Sequence, residues 1–527
     1  MEPCVYRKEW LSVRENQDRQ DDLVQLSRHI AFSFVDRYYQ YGRYEAEYID
    51  LLCEMATYFS DVELSDKVSL ALFEIIVEKL CDDFEDMPIE IYCRVMSQVI
   101  SYCRKVRQGA ALDKALLDFG IFSFEDLYDR AAAVHTRRYS YDNGKPPEKI
   151  ILLSRVTIGA DVAILSVMIG RFMKIFPQAE IVAIGSSKLH GVFGGNSRIR
   201  ICPLNYARSG GLFERFSSWR GALEILASEM PLGRQDHSLL VDPDSRISQL
   251  GVLPLTHRDN YLFFNSRECA ASAKSARMAE LANRWMDSVF GASEFCYPKV
   301  WTIPSISLKA RKLVALLRSA GCKRVVAVNF GVGTNPRKRL GLDFEQKLPR
   351  HILKEPKTVV LLDKGFGEDE LSRSARLLDS IKNEGLSTAD IRFGDPEYQG
   401  FSHGLVTIEC TIGEVSALLA ECDEFIGYDS ACQHIAAAVQ TPTLTIFAGS
   451  NNMRFVRRWS ACGSAQHKIV HVDTLTDPQN VNINEVISRV MAERHKKEDR
   501  KQKTEFRILD TDLCLPKTMP DFKKQTL

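Results

Sequence analysis

The sequence predicts an α/β protein with two parallel sheets in two separate halves, preceded by an all-helical domain. Three observations predict it. Continuous apolar runs such as "KIILL" and "RVVAV" recur, as expected of strands buried on both faces. Each run leads through a short turn into a helix pattern, the strand-helix-strand rhythm of a parallel sheet. The rhythm fades near residue 295 and restarts near Lys323, while the first 136 residues lack it and are poor in glycine. A chain of 527 residues is also too long for a single domain of about 150.

In chain order, "SLALFEIIVEKLCDDF" brings Leu70, Leu72, Phe73, Ile76 and Leu80 near one helical face, and "IEIYCRVMSQVISYCRKV" repeats the pattern with Ile91, Val95, Val99 and Tyr102. Residues 1–136 are therefore expected to form a helical bundle that packs or oligomerises. Residues 137–148 hold Asn-Gly and Pro-Pro breakers and are expected to be a linker. In 149–305, strands are expected at "KIILLSRV", "AEIVAIGS", "HSLLVDPD" and "NYLFFNS", with the helix "ADVAILSVMIGRFMKIF" after the first. In 306–490, strands are expected at "KRVVAVNF", "KTVVLLD", "HGLVTIE", "EFIGY" and "TLTIF", with helices over "EDELSRSARLLDSIKNEG", "IGEVSALLAECD" and Ser430 to Val439. The tail 491–527 is charged and is expected to be a helix or a disordered end.

Formal net charge is +0, which removes any global attraction to nucleic acid or anionic membrane. No C-x-x-C pair occurs among the fourteen cysteines, so zinc and thioredoxin-like sites are not suggested. The start "MEPCVYRKEW" has no apolar signal core, and no apolar run reaches the ~18 residues of a membrane span. The expectation is a cytoplasmic protein with free thiols.

Ligands of open parallel sheets sit beyond the carboxyl ends of the strands, and four motifs fall there. "SRVTIGADV" leaves the first strand, turns at Gly159 and places Asp161 at a helix start, either as a general base toward a hydroxyl or as a plain helix cap. With one glycine, that loop lacks the nicotinamide fingerprint. "NFGVGTNPRKRLGL" offers Gly331 and Gly333 for close backbone approach and Arg337, Lys338 and Arg339 for a diphosphate, or forms a solvated basic turn. "LLDKGFGEDE" places Lys364, Gly365 and Gly367 after a strand, with Glu368 as a helix cap or a ribose contact. "YDSACQHIAAAVQTPTLTIFAGS" starts a helix at Ser430, whose first amides, with those of Ala431 and Cys432, suit a phosphate. Asp429 beside them suits neutral sugar hydroxyls. His434 lies one turn in, where a lone histidine is more often structural. "VDPDS" contains D-x-D, a weak metal signal at Asp242 and Asp244, and no metal site is expected.

These motifs, in this order, resemble glycosyltransferase family 9, the group of the ADP-heptose heptosyltransferases. Gly159-Ala160-Asp161-Val162 resembles the family's Gly-Asp-Val with one residue added, Lys338-Arg339 its Lys-Arg pair, and Asp429, Ser430, His434, Ala436 and Ala438 its Asp-Ser/Thr-Gly-x-x-His-x-Ala-x-Ala signature. Pro442, Phe447 and Gly449 follow its closing Pro and Phe-Gly. Ala431 stands where the signature has glycine, and Leu340 where tryptophan often follows Lys-Arg. The resemblance spans about 149–475 and implies the GT-B architecture, two Rossmann-like domains across a cleft. It implies an inverting, metal-independent transferase with Asp161 as base. The donor, a nucleoside-diphosphate sugar, would be held by Gly331, Gly333, Lys338, Arg339, Lys364, Glu368, Asp429, Ser430, Ala431, Cys432 and His434. No cofactor is expected. The acceptor is expected to be a carbohydrate, a lipid-linked glycan or a protein, and the helical domain offers a surface for a homo-oligomer. A non-catalytic scaffold of the same fold and a nucleotide-sugar epimerase are the alternatives.

Overall fold

The computed structural model describes residues 2–14, 20–59, 61–78, 80, 86–141, 145–207, 210–231, 237–267, 276–333, 335–477 and 479–496. The tail expected at 491–527 lies outside the described residues beyond 496; up to His495 it continues the helix Ile483–His495.

Two all-parallel sheets form. The first, in the order β3-β2-β1-β4-β5, is built from β1 (Lys149–Leu153), β2 (Glu180–Gly185), β3 (Ile199–Pro203), β4 (Ser238–Asp242) and β5 (Tyr261–Phe263). The second, β12-β11-β10-β6-β7-β9-β8, comprises β6 (Arg324–Asn329), β7 (Thr358–Asp363), β8 (Ser387–Arg392), β9 (Gly404–Glu409), β10 (Glu424–Tyr428), β11 (Thr443–Phe447) and β12 (His467–His471). In each sheet the strand order reverses beside the first strand, between β1 and β4 and between β6 and β10. Those two junctions are where crossovers diverge and leave a crevice.

Alternate side chains of the first sheet enter two different cores. Ile151, Leu153, Val182, Ile184, Leu240 and Phe263 point into one shared with the N-terminal helices, among them Trp10, Tyr48, Tyr92 and Leu127. Ile150, Leu152, Ile181, Ala183 and Val241 point into the other. The N-terminal region (helices from Pro3–Arg14 to Phe124–Thr136) therefore packs on the first sheet as one of its two covering layers. The second core runs on without a break into the second half, where it takes in Val325, Ala327, Val359, Leu361, Ile435 and Ala436. The outer face of the second sheet has its own core with Phe344, Leu348, Leu377 and Val486.

The two halves touch through glycines. A Cβ on Gly191 would lie 2.8 Å from the Gly413 nitrogen and 2.4 Å from Ile412 Cγ2, and one on Gly159 would lie 3.1 Å from Ala431 Cα. A side chain at Gly159 or Gly191 would hold the backbones of the two halves further apart.

Candidate functional site

The helix after β1 carries the first site residue. It opens as a single α-turn at Ile158–Ala160, widens into a π-helical stretch at Asp161–Leu165 and resumes as α at Ser166–Ile175. Such bulges are rare and recur at functional sites. Asp161 does not cap its helix. Its carboxylate turns back to the end of β1, where it accepts hydrogen bonds from Ser154 Oγ at 2.8 Å and the Arg155 amide at 2.7 Å. It is 1% exposed, and burial raises its pKa to about 7 against the lowering by those two donors. The residue next along the loop, Val156, has φ 65, a strained conformation for a β-branched residue.

Beside it, at the β1–β4 junction, the D-x-D carboxylates are already engaged. Asp242 accepts from the Ser245 amide at 2.7 Å and Tyr261 Oη at 2.6 Å. Asp244 pairs with Arg267 and Arg155 and accepts from Ser266 Oγ at 2.7 Å. Asp244, Gln249 and Leu250 all have positive φ, and the helical region secures this loop: Tyr92 Oη donates to Gln249 Oε1 at 3.1 Å, and His135 Nε2 bonds the Leu250 carbonyl at 2.8 Å.

At the second junction, Lys338 from the β6 loop meets Asp429 from the end of β10, Nζ to Oδ2 2.6 Å. Gln433, one turn further along, donates to the other Asp429 oxygen at 2.5 Å. Behind them the helix Ala431–Ala438 begins, with Ser430 at its N-cap making no side-chain cap bond, so its first amides lack an intrahelical acceptor. Lys338 Nζ also lies 5.8 Å from the Phe455 ring centre. Asp363, at the end of β7, accepts from Asn329 Nδ2 at 2.8 Å, and burial lifts its pKa to about 6.

Five of the expected site residues have other partners or surroundings in the structure. The Arg339 side chain is 10% exposed and pairs with Glu370 at 2.8 Å and Glu345 at 3.4 Å. Lys364 pairs with Asp390 of the edge strand β8. Glu368 is exposed in the first turn of its helix; the acid that reaches into the loops is Glu370, accepting from the amides of Phe366 at 2.7 Å and Val332 at 3.4 Å. His434 is buried against Gly159 and the Trp459 ring, and burial lowers its pKa to about 4, so it is a neutral packing residue at pH 7. Asp429, expected to await sugar hydroxyls, holds Lys338 instead. Gly331 stands on the rim, where a Cβ would lie 3.1 Å from Asn329 Oδ1, while Gly333 has φ +61 and open space around it.

Ser154, Arg155, Glu370 and Gln433 were missed. Gln433 sits four residues after Asp429, a helical spacing visible in the sequence; the others carry no such signal. Arg155, between Asp244 and the Trp459 ring (5.7 Å to its centre), links the halves, as does Arg458 Nη1 donating to the Ser266 carbonyl at 3.1 Å.

Two parallel sheets whose β1–β4 and β6–β10 junctions are joined through Gly159 and Ala431 give the chain the GT-B class of architecture. More particularly, residues 403–484 match the model of glycosyltransferase family 9 (heptosyltransferase), and the signature read from Asp429 to Gly449 falls inside that segment; Asp161 and Lys338 lie outside it. No curated protein matches the chain. A solved family 9 glycosyl transferase from Veillonella parvula is 13% identical, with 68% of this chain and 97% of that one covered and a TM-score of 0.47. ADP-heptose lipopolysaccharide heptosyltransferase II of E. coli is 12% identical, with 65% and 98% covered and a TM-score of 0.44. Likeness this distant says nothing of substrate; the architecture stands on the strand pairings, and the family resemblance on the 403–484 segment.

Proposed function

We propose that the chain transfers a sugar from a nucleoside-diphosphate sugar to an acceptor hydroxyl, inverting the anomeric centre without a metal ion. The observation that carries this reading is the meeting of two strand-end sites. Lys338, paired with Asp429, and the uncapped helix start at Ser430 form a polar, amide-rich corner, and that corner abuts the helix of Asp161 through Gly159 and Ala431. In the reaction, Asp161 accepts the acceptor's hydroxyl proton. The oxygen attacks the anomeric carbon, the bond to the diphosphate breaks, and Lys338 with the amides of Ser430 to Cys432 stabilises the departing charge. A pKa near 7 suits a base working at neutral pH. Because Asp161 is buried here, the acceptor reaches it only when the Gly159–Ala431 contact parts. The diphosphate displaces Asp429 from Lys338, and Gln433 keeps the released carboxylate hydrogen-bonded. The free thiols of every described cysteine support a cytoplasmic setting, and no described helix is long and apolar enough to cross a membrane.

Asp161→Asn is the test. Transfer should fall by about 10²–10⁴-fold while donor affinity stays within twofold; full turnover in the variant removes Asp161 as base. A chelator should leave transfer intact, and an absolute metal requirement would return Asp242 and Asp244 to the site. The burial of Asp161 and the neutralised Lys338 also fit a protein that binds nucleotide sugars without transfer. That reading predicts donor binding with no turnover on any acceptor.

A further inference from the structure

Phe366 is the most exposed large hydrophobic among the described residues, at 88%. It stands at the tip of the loop after β7, between Gly365 (φ +76) and Gly367 (φ +98). The loop itself is held, since the Phe366 amide donates to Glu370 Oε2 at 2.7 Å. A fixed backbone thus presents an exposed ring at the strand-end rim. Among the described residues, the cation on that ring comes from the other half: Lys188 Nζ, 5.1 Å from its centre.

We propose that Phe366 is the surface on which the aromatic base of the donor nucleotide stacks. This rests on the proposed function and adds the direction in which the donor lies. With the diphosphate at the β6–β10 junction, the nucleoside can run along the rim toward β11 or toward β7. On the β11 side a Cβ on Gly449 would lie 2.6 Å from the Arg337 carbonyl oxygen, and the cavity of about 330 Å³ beyond that contact, lined by Arg337, Leu340, Thr474 and Leu475, carries no aromatic ring. On the β7 side the rim ends at an exposed ring, Phe366, two strand spacings (~10 Å) from β10. An aromatic ring accepts any base by its π-face, so Phe366 contributes affinity without choosing the base. Lys188 covers that face now and gives way to the base, to which it then offers its charge.

The experiment measures binding of ADP, UDP, GDP and inorganic pyrophosphate to the full chain and to Phe366→Ala and Phe366→Trp. The Ala variant should lose about tenfold or more in affinity for the best nucleoside diphosphate and keep its affinity for pyrophosphate. The Trp variant should keep both, and its added indole emission should be quenched by the nucleotide. Unchanged nucleotide affinity in Phe366→Ala, an equal loss for pyrophosphate, or unmoved indole emission each overturns the stacking role. If the unaltered chain binds no nucleoside diphosphate, the donor reading and the stacking role fall together. If it binds and Phe366→Ala binds equally, only the stacking role falls.

Discussion

Asp161 shows what burial does to a single carboxyl. Its pKa is raised from 3.8 to about 7 by desolvation, so between those pH values the folded chain binds a proton that the unfolded chain does not. Stability is then lost as pH rises through that window, and the whole penalty stands at pH 8. Asp161→Asn keeps an acceptor for the Arg155 amide and carries no charge, so its melting temperature should exceed that of the parent chain at pH 8 and match it at pH 4. Equal destabilisation at both pH values would contradict the buried-charge account. Transfer by the parent chain should rise with pH to a plateau above about 7. At Lys338, removal of the ammonium by Lys338→Ala should weaken nucleoside-diphosphate binding by ~1.5–3 kcal/mol, as for a lost charged hydrogen bond. Titration calorimetry giving unchanged affinity takes Lys338 out of the phosphate site.

At the scale of elements, the contact between halves depends on Gly191 against Gly413 and Gly159 against Ala431. Gly191→Ala drives a methyl into Ile412 and the Gly413 backbone, an overpacking of about 1–3 kcal/mol. The melting temperature should fall and the two halves should separate in small-angle scattering; an unchanged profile would show that the contact is slack. Strands were legible where both faces are buried, as in "IILL" of β1 and "VVLL" of β7. The strands β3, β8 and β12 escaped because they lie at sheet edges, where "IRICP", "STADIR" and "HKIVH" mix polar side chains into half-exposed faces. The site was legible in the same uneven way. A glycine and a cation straight after an apolar run mark a strand end, which located Lys338 and Asp429. The partners of the neighbouring cations did not show. Glu345, Glu370 and Asp390 meet Arg339 and Lys364 only in three dimensions, and nothing local marks them among the 69 acids of the chain.

For the whole molecule, the helical region belongs to the first sheet's core. Ile151, Leu153, Val182, Ile184, Leu240 and Phe263 share one core with it and with the helix Leu212–Glu229, so a chain lacking residues 1–136 would lose a large part of that core. Such a truncation should unfold without a cooperative transition in its first half. A sharp calorimetric transition for each half would contradict the shared core. The same helices bond Gln249 and Leu250 in the strained loop below Asp161, which ties the bundle to the candidate site as well as to stability.

The central claim is that the rim of the second sheet holds a nucleoside-diphosphate sugar through Lys338. Thermal unfolding of the full chain and of Lys338→Ala, each with a panel of ADP-, UDP-, GDP- and TDP-sugars, tests it most directly, because a ligand that binds only the folded state raises stability by mass action. The account predicts that one donor class raises the melting temperature of the full chain by a few degrees and that Lys338→Ala loses most of that rise. No shift with any donor, or an equal shift in both proteins, would contradict it.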